Sequence, residues 1–99
     1  MTTPAERRRN LIWGREALEE LAQDDTLPVD WRTEAASLYS GYPAPDRLRA
    51  AADDDLDELQ EEFMTVLLAA KWLFMRVQRH HASTQQRKYS LTVVLRHFL

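Results

Sequence analysis

Residues 53–82 read DDDLDELQEEFMTVLLAAKWLFMRVQRHHA. The stretch opens in acids, crosses a mostly apolar middle and closes in bases. Leu56, Leu59, Phe63, Val66, Ala70, Leu73 and Val77 recur at alternating spacings of three and four, the rhythm of one helix face. Asp57, Glu58, Glu61 and Glu62 come early, and Lys71, Arg76 and Arg79 come late. Acid first and base last is the order that a helix macrodipole favours, so the charge gradient has a structural cause. Asp53, Asp54 or Asp55 can serve as the cap. The spacing predicts one long central helix over about 53–82.

Around that seam, Met64, Leu67, Leu68, Trp72, Phe74 and Met75 make the middle apolar on nearly every side. Such a helix must be buried in protein or in lipid. Lipid fails on length, because a span needs about 20 apolar residues and this run is shorter, with Lys71 inside it. No membrane partner is therefore expected. A straight helix over this stretch would be about 42 Å long. The flanking segments predict helices too short to cover it, so a second copy is the simplest cover. The expected homodimer interface is Leu59, Phe63, Val66, Ala70, Leu73, Phe74 and Val77.

Toward the N-terminus, Thr3-Pro4-Ala5-Glu6 combines a cap, a proline suited to the first helical turn and a capping-box glutamate. The helix it opens should run to about Ala22, with Leu11, Ala17, Leu18 and Leu21 on one face. Arg7, Arg8 and Arg9 sit unfavourably near its positive end, either as a solvated face or as a patch that an external or acidic partner compensates. Pro28 begins a second helix carrying Trp31, Ala35, Leu38 and Tyr39. Gly41 is expected to stop it in a left-handed conformation before Tyr42-Pro43, and a brief helix from Pro45 to about Ala51 follows.

Thr3-Pro4, Glu6-Arg7, Arg15-Glu16, Leu18, Glu20-Leu21, Leu27-Pro28, Arg32, Glu34-Ala35 and Tyr42-Pro43 together make a pattern. In it the first half of the chain resembles a small uncharacterised bacterial protein family. The resemblance implies a helical N-terminal hairpin and carries no function with it.

At the other end, Ser83-Thr84-Gln85-Gln86 can open a helix along Tyr89, Val93 and Leu95–Phe98, whereas KYSLTVVL is rich in strand formers. Helix is the expectation, since the chain offers no second strand to pair with. The fold class expected is all-α, a small helical domain of three to five helices. Residues 1–99 are read as one domain, a hairpin over 1–43 followed over 45–99 by the long helix and a basic segment. Two glycines and four prolines in 99 residues suit neither disorder nor a many-turned β fold. The start MTTPAERRRN holds no apolar run of signal length, so a cytoplasmic protein is expected. There is no cysteine, hence no disulfide, thiolate site or cysteine nucleophile.

The net charge of −3 conceals an uneven distribution. All sixteen acids lie in residues 1–62, whereas residues 63–99 hold six bases and no acid. Either the halves neutralise one another in the fold, or the basic half meets an anionic partner. Arg76, Arg79, Arg87, Lys88 and Arg96 are the candidate contacts to nucleic acid or to an acidic protein. A sequence pI near 5.5 weighs against a domain built for DNA. His80 and His81 are adjacent, so they point to different sides of a helix and cannot readily hold one metal ion. The acids near Asp53 lack the alternating spacing of a calcium loop. Neither a phosphate-binding glycine loop nor a nucleophile elbow occurs. The expectation is a non-enzymatic module without cofactor or metal, binding an unidentified protein and itself. The adaptor, chaperone-like or inhibitor types fit, the last in the manner of mobile elements. The alternative is a regulator that binds nucleic acid through residues 76–96.

Overall fold

The computed structural model describes residues 2–80 and 83–98. The first helix, α1 (Pro4–Ala22), starts as its sequence requires. The Thr3 hydroxyl accepts from the Glu6 amide at 3.1 Å, and the Glu6 carboxylate accepts from the Thr3 amide at 3.1 Å. These reciprocal bonds satisfy two of the donors that a helix start leaves unpaired. They also hold the Glu6 carboxyl below its ordinary range, the backbone bond to Thr3 acting most strongly.

α2 (Val29–Gly41) follows a short turn and packs along α1. No glycine among the described residues has a positive φ, so the expected left-handed stop at Gly41 does not form. Gly41 is the last helical residue instead, and Tyr42 leaves in an extended conformation at ψ 149°. That exit buries Tyr42, whose hydroxyl donates to the Leu11 carbonyl of α1. The expectation failed because a tertiary hydrogen bond, rather than a local cap, decides where the chain goes. α3 (Pro45–Ala50) then crosses toward α1.

The central stretch is not one helix. Residues 53–55 form a 3-10 turn, α4 covers Leu56–Glu62 and α5 covers Met64–Arg79. Phe63 separates α4 from α5 with φ −104° and ψ 17°. The ladder continues across it, since the Phe63 amide donates to Leu59 at 3.1 Å and the Leu67 amide to the Phe63 carbonyl at 3.0 Å. The junction is thus a kink, and Arg47 of α3 grips both of its residues. It pairs with Glu62 at 2.6 and 2.7 Å and lies 5.2 Å from the centre of the Phe63 ring. This cation answers the acids that the break leaves at the negative end of α4. A straight helix of about 42 Å would also exceed the molecule's longest extent of 39 Å. His81 and Ala82, the end of the expected span, lie outside the described residues.

α6 (Gln85–Arg96) resolves the choice between helix and strand for the C-terminal segment. Thr84 caps it, its hydroxyl accepting from the Arg87 amide at 3.1 Å. The described residues therefore form six α-helices and one 3-10 turn, more than the three to five expected, and the all-α class holds. The kink and the 3-10 turn account for the extra pieces.

One apolar core runs through these elements, from Leu11, Leu18 and Leu21 of α1 through Ala35 and Leu48 to Leu59, Leu67, Ala70, Leu73, Phe74 and Val77, closing on Leu91, Val94 and Phe98. Phe74 and Phe98 meet edge to face, with ring centres 5.6 Å apart. The radius of gyration, 13.1 Å, is that of a compact domain of this length. The residues of the expected dimer seam all turn toward this core. Leu59, Ala70, Leu73, Phe74 and Val77 are buried by the chain's own helices, and Phe63 and Val66 are half-buried against the same core. The short helices of the single chain thus cover these residues on α4 and α5.

Candidate interaction surface on α5 and α6

The bases singled out in the sequence divide into two groups. Arg76 reaches from α5 to the Glu34 carboxylate on α2 and lies 5.7 Å from the centre of the Trp31 ring. Trp31 in turn meets His80 edge to face at 5.1 Å. Arg87 reaches from α6 to Asp24 beyond the end of α1, and also donates to the Thr26 hydroxyl at 2.9 Å. Burial pushes the Asp24 carboxyl up, but hydrogen bonds from Thr26 and the charge of Arg87 outweigh it and hold the carboxyl below its ordinary range. Arg76 and Arg87 therefore dock on the chain's own acids.

Two of the three N-terminal arginines behave alike, while Arg9 donates to the Asn10 side chain and lies over the Trp13 ring. Arg7 pairs with Asp57, and Arg8 with Asp53 at 2.9 Å and the Ala51 carbonyl at 2.7 Å. Asp53 and Asp57 thus bind the arginines of α1, and the expected side-chain cap does not form, since neither the 3-10 turn nor α4 receives one. Sequence alone could not pair residues some fifty positions apart.

Lys71, Arg79, Lys88 and Arg96 form the second group. None of the four has an acid within salt-bridge distance among the described residues. Lys71 and Arg96 line one open groove of about 360 Å³ between α5 and α6, together with Met75, Gln78, Thr92 and Leu95. The Gln78 amide donates to the Thr92 hydroxyl at 2.6 Å and ties the two helices together along its floor.

Beside that groove lies an apolar stripe that periodicity alone did not place outward. Met64, Leu68 and Trp72 are 39%, 42% and 60% exposed. They stand one turn apart on α5, and Met75 and Arg79 continue the line at the spacing of 3.6 residues per turn. From Met64 to Arg79 the stripe is about 22 Å long at 1.5 Å per residue. The signal was present in the sequence as an i, i+4, i+8 series. It was masked because the opposite face of α5 is equally apolar, and only packing decides which of two apolar faces turns inward.

No helix among the described residues is long and apolar enough to cross a membrane, and no group of three or more His, Cys, Asp or Glu side chains is placed to hold a metal ion. Comparison with protein-family models, with curated proteins and with solved structures finds no match.

Proposed function

We propose that this protein acts by binding another protein through the outer face of α5, as an adaptor, cover or inhibitor, and not by catalysing a reaction. The observation that carries this reading is the Met64–Leu68–Trp72 stripe. A small domain that buries Leu67, Leu73 and Phe74 completely could have buried a large aromatic residue as well. It leaves Trp72 in water instead. Tryptophan, methionine and leucine in one line are the anchors by which a partner helix is gripped. The alternative, a nucleic-acid regulator using residues 76–96, loses two of its five expected contacts to internal pairing, namely Arg76 and Arg87.

Site-specific photo-cross-linking tests the reading. A benzophenone side chain at position 72 is expected to give a discrete protein adduct in cells. The same group at position 29, on α2 and 62% exposed in the parent chain, serves as the control. No adduct from position 72, or the same adducts from both positions, overturns it.

A further inference from the structure

Charge and shape on this face together specify the kind of partner, an inference that rests on the protein-binding reading above. We infer that the α5/α6 face receives an acidic amphipathic helix, whose apolar side lies along Met64, Leu68, Trp72 and Met75 and whose carboxylates meet Lys71, Arg79 and Arg96. The last acid in the sequence is Glu62, so no carboxylate on α5 or α6 can neutralise these cations. Of the acids on other elements, Glu34 and Asp24 are taken by Arg76 and Arg87 and Glu6 pairs with His97, and none among the described residues lies within salt-bridge distance of Lys71, Arg79 or Arg96. An apolar line about 22 Å long, with unpaired cations at its end and along one side, is complementary to a helix of about 15 residues with the opposite charge.

A second copy is a poor occupant of the same face. A two-fold contact sets identical surfaces against each other. Laid parallel, two α5 helices would set Lys71 on Lys71 and Arg79 on Arg79, and laid antiparallel about the middle of the stripe they would still bring the two Lys71 side chains together, with no acid on α5 to answer them. Nucleic acid matches the cations but leaves Trp72 and Leu68 without a purpose, since a phosphate backbone offers nothing apolar at that spacing. An anionic membrane surface matches charge and apolarity, yet an interfacial helix inserts a broad apolar face. The broad apolar face of α5 is already inside the core.

The test uses the purified full chain and designed 18-residue helical peptides with one leucine face. One peptide carries glutamate on its flanks and the other carries lysine. The acidic peptide is expected to bind at least ten-fold more tightly, with affinity falling as salt is raised. Trp72→Ser should weaken it at least ten-fold. The triple variant Lys71→Glu, Arg79→Glu, Arg96→Glu, shown by circular dichroism to be folded, should prefer the lysine peptide. Equal affinity for both peptides overturns the inference, as does acidic-peptide binding that is indifferent to Trp72→Ser. Tighter binding to a DNA duplex or to phosphatidylglycerol vesicles than to the acidic peptide overturns it too. So does a parent chain that sediments as a dimer which Trp72→Ser dissolves, because the face is then occupied by a second copy. A discrete adduct from position 72 combined with no acidic preference would retain the protein-binding reading and remove only the acidic partner. Failure of both would remove the two together.

Discussion

Gly14 of α1 is where one methyl group decides the packing. A Cβ there would stand 2.4 Å from Cε1 of Phe98 and 2.8 Å from the Tyr42 hydroxyl oxygen. Neither neighbour can easily give way, because Phe98 is fully buried and the Tyr42 hydroxyl is committed to the Leu11 carbonyl. Alanine is the better helix former by about 1 kcal/mol. Overpacking costs about 1–3 kcal/mol and more when the obstacle is rigid. Gly14→Ala is therefore expected to lower the thermal midpoint despite its gain in helix propensity, and an unchanged or raised midpoint would show that the Phe98 ring moves freely. Asp24 raises a question of pH. Its carboxyl is held below the ordinary value of 3.8. A lowered folded-state value stabilises the fold above pH 3.8, and the benefit is lost as pH falls through that lower value. Asp24→Asn should accordingly be less stable than the parent at pH 7, with the two denaturation midpoints converging below about pH 3.8. A gap that stays constant down to pH 2 would mean that the charge of Asp24 contributes nothing.

Among the helices, α6 depends on a residue far away in sequence. Asn10 of α1 is fully buried, and its side-chain amide donates to the carbonyls of Val93 and Val94 at 2.8 and 2.9 Å. Those carbonyls lie in the last turn of α6, where a helix runs out of its own donors. Asn10→Ala should cost about 1–3 kcal/mol, the range for leaving buried polar groups unpaired. Amide exchange in α6 should accelerate more than in α2, and uniform acceleration would deny the local role. The element scale is also where the sequence was most and least legible. The start of α1 was readable in four residues, because a capping box is local chemistry. The seam from Leu59 to Val77 was readable as apolar period, yet the period could not say whether its cover was a second copy or the chain itself. The kink at Phe63 was hidden, because no local signal marks it and the residue that grips it, Arg47, lies sixteen positions earlier and on another helix. Gly41 misled for the same reason: a local stop signal was overruled by the burial of Tyr42. The exposed side of α5 was hidden behind a symmetrical pattern, and with it the candidate site.

At the scale of the molecule, the uneven charge of the sequence has become a set of ties. Arg7 and Arg8 hold the acidic stretch, while Asp24 and Glu34 hold Arg87 and Arg76 of the basic half. Three of the cations left without an acid, Lys71, Arg79 and Arg96, lie along or beside the exposed apolar line of α5, and this coincidence gives the α5/α6 face its character. Neighbouring residues on α5 make that division testable. Leu73 is fully buried and Trp72 is 60% exposed, so the same substitution at the two positions asks different questions. Leu73→Asp places a carboxylate in the core and should cost at least about 3 kcal/mol, a large part of the stability of a domain this size. It is expected to yield an unfolded or aggregated chain. Trp72→Asp puts the charge in water and should move stability by no more than about 0.5 kcal/mol. Because the seam is covered from within, the parent and the Trp72→Asp variant should both sediment at micromolar concentration as folded chains of 11.6 kDa. The variant alone should lose its partner. If Leu73→Asp instead gives a well-folded monomer from a dimeric parent, α5 is buried between copies and the packing described above is not the one in solution. If Trp72→Asp unfolds the chain, the stripe belongs to the core and no binding face exists there.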